Sequence, residues 1–409
     1  MNYPFARMSC LVLAFGLLIG CSTLQDLTGG SESSTAEPRR DDPARELADL
    51  NRMIENGEAD ALTFYRKGEL LQERARNLSE PAPRQPLYRQ MRQALLEARR
   101  RPDDGEDGQT AEHSDELLKV AWSNEHNSGL QYSGADSSRG TADPERAVAH
   151  FRNAITIIPD SLSSYRLKAQ THYRNDQPSE AIATLEEARG RITPLPADLM
   201  EQLAFLHFEQ ENYNEAIAVY RDAGAADSGS RNMIHGLANA YIQAGRHDEA
   251  IPLLQELADS RPGNLSYALS LGTELWFAGR ARIEGVGEPP LEEADYRAAD
   301  SLFRRAEGLY NNLLEERPED DNLHRQFAHL CQNVSLLYRD HAGLPGAPRE
   351  MLQGWITRYL KASLPHLVFL AEREEEGEDE YTRRLISVYT WLGMEEQARE
   401  LRGDDNSNR

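Results

Sequence analysis

Residues 145–154 read ERAVAHFRNA, and the same frame returns as SEAIATLEEA at 179–188, NEAIAVYRDA at 214–223 and DEAIPLLQEL at 248–257. The third position of each frame is an alanine, and the alanines are 34, 35 and 34 residues apart: Ala147, Ala181, Ala216 and Ala250. A large apolar residue follows each alanine by four positions, which is the spacing of one helical face. A fixed period of this length predicts paired helices that bury their apolar faces only by stacking on the next pair.

The segment 144–159 shows where one such helix should begin and end. Thr141 or Asp143 can cap its start, and a proline is tolerated in the first turn. Pro159 should end it, because proline lacks an N–H and clashes with the preceding turn. A second helix is predicted over 162–174, followed by a turn at 175–178 that restarts the frame.

This pattern resembles the tetratricopeptide repeat family, most completely in one unit. The residues that match the family's small, large and terminating positions there are Leu237, Ala238, Tyr241, Gly245, Ala250, Ile251, Leu254 and Pro262. The resemblance implies an all-α fold, a right-handed α-solenoid of helix-turn-helix repeats that is irregular at both ends. It also implies a non-enzymatic scaffold that binds a protein or peptide partner.

In that family the concave groove is lined by first-helix positions that point away from the stacking face. Carried over by register, the groove residues are Arg166, Gln170, Tyr173, Arg174, Glu201, Phe205, Phe208, His235, Asn239, Ile242, Gln243, Leu269, Thr273, Trp276 and Phe277. Four of them are aromatic residues that packing does not require, and these suit an extended peptide or a partner helix: Phe205, Phe208, Trp276 and Phe277. The alternative is that these rings pack against an inserted loop or the next turn of the superhelix.

The first 20 residues read as an export signal, with Arg7 as its basic region and a short apolar core over 11–19. The core is too short for a membrane-spanning helix, which needs about 20 apolar residues. The end of the segment, Leu18 to Cys21, resembles the lipobox of bacterial lipoproteins, which implies cleavage before Cys21 and lipid on its thiol. An ordinary secretory signal is the alternative. Ser22 follows, where an aspartate would signal inner-membrane retention, so we expect a periplasm-facing outer-membrane lipoprotein, with inner-membrane or surface placement still open.

Composition and register divide the chain into six segments. They are the signal peptide 1–20, the lipidated cysteine and disordered tether 21–42, degenerate helical repeats 43–132, the core array 133–277, irregular C-terminal helices with insertions 278–402, and a disordered tail 403–409. The two Gly/Pro-rich insertions are predicted over 278–293 and 342–348. Pro252 should lie in the first turn of its helix, and Pro365 should kink or split the helix predicted over 351–373.

Charge and motif content argue against several classes of function. The formal net charge of −23, from 68 acidic and 45 basic residues, argues against binding nucleic acid. The chain contains none of the common catalytic, phosphate-binding or zinc-binding motifs, so no catalytic residue, metal ligand or cofactor is predicted. Cys331 falls at an interior repeat position, which indicates a buried and unreactive thiol.

Two further interpretations remain open at this point. The run Glu125-His126-Asn127 could line a site or cap an exposed helix end. The chain could also be an accessory solute-binding component of a membrane transporter, which a ligand-sized cavity near Trp122 or Trp276 would favour.

Overall fold

The computed structural model describes residues 42–101, 109–134, 142–224, 230–262, 264–285, 291–375 and 379–402. Within these ranges the secondary structure is seventeen α-helices and one 3-10 turn at Ala82–Arg84, with no strand. In chain order the helices are α1 (Pro43–Asn56), α2 (Ala61–Arg76), α3 (Gln85–Arg100), α4 (Thr110–Tyr132), α5 (Pro144–Ile157), α6 (Leu162–Arg174), α7 (Pro178–Arg191), α8 (Ala197–Glu209), α9 (Tyr213–Asp222), α10 (Arg231–Gln243), α11 (His247–Ser260), α12 (Leu265–Glu284), α13 (Glu293–Glu316), α14 (Asp321–Ala342), α15 (Arg349–Ala371), α16 (Glu380–Trp391) and α17 (Glu395–Arg402). The predicted signal peptide, Cys21, nearly all of the tether and the tail from residue 403 lie outside the described residues.

Each helix packs chiefly against its neighbours along the chain, so the described helices form an α-solenoid of stacked pairs. The alanines of the repeating frame lie at the contacts between neighbouring helices, which we call the seams, as predicted. Ala147, Ala181, Ala216 and Ala250 are all fully buried. The apolar residues four positions later are buried too, from Phe151 and Leu185 to Tyr220 and Leu254. The periodicity of the sequence therefore marks the packing face of the second helix in each stacked pair, namely α5, α7, α9 and α11.

Polar side chains and prolines set where several helices begin. The Asp143 carboxylate accepts a hydrogen bond from the backbone N–H of Arg146 at 3.0 Å, and Pro144 occupies the first turn of α5. At α2, Asp60 accepts from the N–H of Thr63 at 2.7 Å, and Thr63 Oγ1 accepts from the N–H of Asp60 at 3.4 Å. These hydrogen bonds satisfy backbone N–H groups that have no carbonyl acceptor in the first turn of a helix.

Glycine permits the closest approach at two seams. A Cβ on Gly236 of α10 would lie 2.3 Å from the hydroxyl oxygen of Tyr220 on α9. A Cβ on Gly279 of α12 would lie 2.4 Å from a ring carbon of Phe303 on α13. Both distances are below any van der Waals contact, so a large ring on one helix requires a residue without a side chain on the next.

The structure corrects the prediction made for Pro252 and excludes one of the two outcomes predicted for Pro365. Helix α15 runs without a break from Arg349 to Ala371, so Pro365 does not split it. Helix α11 begins at His247, which places Pro252 beyond the first turn, inside the helix. Near Pro365 the Ser363 hydroxyl donates to the Leu360 carbonyl at 2.7 Å, and buried leucines on both sides hold the helix against its neighbours. Packing thus outweighs the local helix-breaking tendency of proline.

The apolar interior is divided near the N-terminal end of the stack. One buried cluster extends from Ala169 to Val388, and a second extends from Leu71 to Ile157. Among the described helices, none is long and apolar enough to cross a membrane.

Candidate partner-binding groove

A cavity of about 500 Å³ lies against α6 and α8, and it brings together four of the predicted groove residues: Gln170, Tyr173, Arg174 and Phe205. We call this cavity the aromatic groove. Its complete lining is Ala169, Gln170, Tyr173, Arg174, Leu185, Gln202, Phe205 and Leu206. Gln202 was not predicted, although it lies on α8 one turn before Phe205 and so shares its face.

Two aromatic rings give the groove its apolar surface. Tyr173 and Phe205 are 38% and 37% exposed, and their ring centroids are 6.3 Å apart at an interplanar angle of 74°. This edge-to-face arrangement is a favourable geometry for aromatic pairs. Partial burial, and then the charge of Glu209, raise the pKa of Tyr173, so its hydroxyl remains a hydrogen-bond donor at neutral pH. The buried side chains of Leu185 and Leu206 complete the apolar part of the lining.

Three polar side chains of the groove are unengaged. Within the described part of the chain, the side chains of Gln170, Arg174 and Gln202 make no hydrogen bond or ion pair. Each glutamine amide can both donate and accept, and Arg174 adds donors and a positive charge. The groove therefore combines an apolar surface with polar groups that are free to pair with the backbone of a bound chain.

The other predicted groove residues differ in how far they already contact the rest of the protein. Arg166 on α6 pairs with Asp198 at the start of α8. On α10, Asn239 Nδ2 and His235 Nε2 lie 3.2 Å apart, and the His235 ring meets Tyr267 edge-on. Burial lowers the pKa of His235, so this imidazole is neutral at pH 7. Ile242 is half-buried and Gln243 exposed on the same helix; among the predicted α12 positions, Leu269 is half-buried and Thr273 exposed.

The predicted aromatics do not share one environment. Phe208 is half-buried against Tyr213, with ring centroids 5.5 Å apart, and Trp276 is half-buried against Phe303 at 5.3 Å. For these two rings the structure favours the alternative, which is packing against a neighbouring part of the solenoid. Phe277 is 38% exposed and stacks on His247 with centroids 5.2 Å apart.

Glu125 neither lines an open site nor caps an exposed helix end, because it is 2% exposed within α4. Its Oε1 accepts from the Tyr88 hydroxyl at 2.7 Å and from Arg84 at 2.9 Å. Its Oε2 accepts from Asn153 at 3.0 Å and lies 2.7 Å from His150 Nδ1. The sequence carried one signal of this burial, since Glu125 continues the small-residue face of Ala121 and Gly129 at four-residue spacing.

The neighbouring tryptophan and histidine also have structural roles. The Trp122 indole N–H lies 2.9 Å from Ser161 Oγ and 3.1 Å from Ser164 Oγ, and its ring stacks on His126. Trp276 packs on the next helix. Neither ring lines the aromatic groove.

The thiol and the metal-binding residue types supply no reactive centre in the described residues. Cys331 is fully buried, as predicted, and burial raises the pKa of its thiol. No group of three or more His, Cys, Asp or Glu side chains is placed to hold a metal ion in the described ranges.

Comparison with known families identifies the repeats. A sequence model of the tetratricopeptide repeat matches residues 207–275, and a model described as anaphase-promoting complex, cyclosome, subunit 3 matches residues 143–223. Residues 143–275 therefore carry repeats of the tetratricopeptide type. The chain also resembles Cellulose synthase operon protein C of Pseudomonas fluorescens (strain SBW25), with 24% identity over 146 residues. This match covers 36% of the present chain and 11% of that relative's length.

Solved structures similar to this chain include a MamA mutant, with 19% identity and a TM-score of 0.34 over 53% of this chain and 93% of that one. YrrB, described as a TPR protein with an unusual peptide-binding site, has 14% identity and a TM-score of 0.34 over 47% of this chain and 91% of its own. MamA from Desulfovibrio magneticus RS-1 has 13% identity and a TM-score of 0.28, over 48% of this chain and 92% of its own.

Proposed function

We propose that this protein is a non-enzymatic scaffold that holds an extended peptide segment of a partner protein in the aromatic groove. The tetratricopeptide repeats matched over residues 207–275 support a role in protein–protein interaction. The observation that carries the proposal is the exposed pair Tyr173 and Phe205, set beside the unengaged side chains of Gln170, Arg174 and Gln202.

The chemistry of the groove suits a peptide. Its volume of about 500 Å³ is within the usual range for ligand pockets, and its apolar lining can take one or two apolar side chains of a partner. The two glutamine amides can pair with the backbone N–H and C=O groups that an extended peptide presents. Aromatic anchors contribute a large share of the binding energy in such interfaces, so Tyr173 and Phe205 should dominate the affinity.

Site-specific crosslinking tests the groove. A photo-crosslinking amino acid at Gln202 should capture a partner in intact cells, and Tyr173→Ala/Phe205→Ala should reduce that capture at least tenfold, since losing two anchors costs about 2 kcal/mol or more. The matched control is Leu62→Ala/Val120→Ala, which removes two exposed apolar side chains away from the groove. Equal capture by the double variant and this control would refute the assignment of the groove.

We also propose that the scaffold is anchored at the periplasmic face of the outer membrane through lipid on Cys21. The support is the lipobox-like end of the predicted signal together with Ser22. Mass spectrometry of the N-terminal peptide should find acyl chains on Cys21, and Cys21→Ser should release the protein from the membrane fraction. A native N-terminus that carries no fatty acid would remove this part of the proposal.

The similarity to Cellulose synthase operon protein C gives a first place to look for partners. We propose that crosslinked products be searched first for proteins of cellulose-synthase-type assemblies. A partner from an unrelated system would leave the peptide-binding role intact and reject this association.

A further inference from the structure

A second cavity, of about 570 Å³, lies on another side of the solenoid, and its lining comes from the second helices α3, α5 and α7 together with α6. We call it the basic pocket. Six of its lining residues are basic and two are acidic; the basic ones are Arg89, Arg92, Arg100, Arg152, Lys168 and Arg191. This balance is the reverse of that of the whole chain, which has 68 acidic and 45 basic residues.

The two acidic residues do not neutralise the pocket. Glu97 pairs with Arg100 at 2.9 Å, and Glu187 pairs with Arg191 at 3.3 Å. The four other cations, on three different helices, make no side-chain hydrogen bond or ion pair within the described ranges: Arg89, Arg92, Arg152 and Lys168. An acidic chain offers many carboxylates, so four unpaired cations around one cavity mark a place where the counter-charge comes from outside.

Lys168 gives the clearest sign of a missing counter-charge. It is half-buried on α6, and burial lowers the pKa of its ammonium group. The charge of Glu187 partly opposes this shift, and the charge of Arg152 adds to it. A lysine ammonium is strongly hydrated, and holding it partly out of water beside another cation is unfavourable until an anion binds.

We propose that the basic pocket binds an acidic segment of a partner polypeptide through its carboxylate oxygens. Arginine binds carboxylates with paired hydrogen bonds, and the amides of Gln85 and Gln93 in the lining can serve the peptide backbone. No aromatic residue lines the pocket, so it offers no stacking surface for a nucleobase or a sugar ring. The pocket is separate from the aromatic groove, so the proposal for either site can be refuted without affecting the other.

Fluorescence anisotropy with a fluorescein-labelled oligoglutamate peptide tests the assignment on the full chain. Arg89→Gln/Arg152→Gln should weaken binding at least tenfold, and binding by the unaltered protein should weaken as salt rises from about 0.01 M to about 0.15 M. The matched control is Arg45→Gln/Arg74→Gln, which removes two exposed arginines elsewhere that form no ion pair with any described residue, and it changes the net charge equally. Tyr173→Ala/Phe205→Ala should bind the peptide like the unaltered protein, which separates this site from the aromatic groove.

Lys168→Gln provides a second variant. It removes a half-buried charge, so the protein should still fold, and it should weaken the binding of oligoglutamate severalfold. A fluorescein-labelled oligogalacturonate distinguishes a peptide from an acidic saccharide, and it should bind at least tenfold more weakly than oligoglutamate. No oligoglutamate binding, equal loss in the pocket and control variants, or saccharide binding as tight as peptide binding would each overturn the proposal.

Discussion

Replacing Glu125 with alanine should destabilise the N-terminal end of the stack by about 3–5 kcal/mol, the usual cost of removing one partner from a buried ionic network. The carboxylate joins α4 to the segment around α3 through Arg84 and Tyr88, and to α5 through His150 and Asn153. Tyr88 and Asn153 are each 1% exposed, so water cannot replace the lost acceptor without opening the structure.

The magnitude follows from the donors left behind. A buried polar group without a partner costs about 1–3 kcal/mol, and the variant strands the Tyr88 hydroxyl, one N–H of Asn153 and Nδ1 of His150, which is 4% exposed. Asn153 Nδ2 keeps its bond to the Pro81 carbonyl at 2.9 Å. Arg84 likewise keeps two bonds to the Leu78 carbonyl, at 3.1 and 2.6 Å, and adds less to the cost. Three orphaned polar groups therefore account for the expected range.

Hydrogen exchange followed by mass spectrometry is the suitable assay, because a solenoid can lose one end before the rest. In Glu125→Ala, exchange should accelerate in α3, α4 and α5 and remain unchanged in α10 and α11. Glu116→Ala, on the exposed face of the same helix, should change stability by no more than about 0.5 kcal/mol. A loss below about 1 kcal/mol, or acceleration spread evenly along the chain, would refute the reasoning.

The same network predicts a dependence on pH. Burial alone would raise the pKa of Glu125, but hydrogen bonds from His150, Asn153, Tyr88 and Arg84 together lower it below its usual value of 4.5. The stabilisation is therefore complete above the unfolded-state pKa and is lost as pH falls through the folded-state pKa. Exchange in α3 to α5 of the unaltered protein should accelerate below about pH 4.5, and Glu125→Ala should lack this acid-dependent component.

Two further predictions concern seams and histidines. Gly279→Ala should lower the free energy of unfolding by about 1–3 kcal/mol, because its methyl group would meet Phe303. Gly308→Ala has open space around its Cβ and should raise the free energy of unfolding by up to about 1 kcal/mol. Thermal unfolding of both variants checks this contrast. Burial and the nearby His324 lower the pKa of His366 from 6.5 to about 4. The fold therefore favours neutral His366, so stability should decline as pH falls from about 6.5 towards about 4, and His366→Gln should flatten that slope in unfolding midpoints measured across this range.

The regular part of the fold could be predicted from the sequence because local signals and packing agree there. Helix α6 has the predicted bounds, and the alanine frame from Ala147 to Ala250 lies at the seams as expected. Local sequence could not show that Pro365 leaves α15 unsplit, because the leucines that hold the helix on both sides make their contacts only in the folded stack. The aromatic groove was partly foreseen, since register places Tyr173 and Phe205 on one face. Register could not reveal that Trp276 packs on Phe303 of the following helix.

The basic pocket was harder to predict because its residues do not share a register. Arg89, Arg152 and Lys168 lie on three helices, and each resembles an ordinary surface cation in the sequence. Only the stacking of α3, α5 and α6 brings them around one cavity. Charge patterns along the chain therefore underestimate such sites whenever the contributing helices are separated by one or more repeats.

The buried carboxylates of the described residues lie in long helices. Glu125 lies in the 23-residue α4, Glu274 in the 20-residue α12 and Asp300 in the 24-residue α13, all longer than the 10 to 14 residues of α5 to α11. Asp300 is 3% exposed and accepts from the Tyr359 hydroxyl at 2.8 Å and the Tyr338 hydroxyl at 3.3 Å. Apolar contacts are non-directional, so long helices without the alanine frame could slide along one another. Directional bonds to a buried carboxylate fix the register of such helices instead, as those to Asp300 do for α13 against α14 and α15.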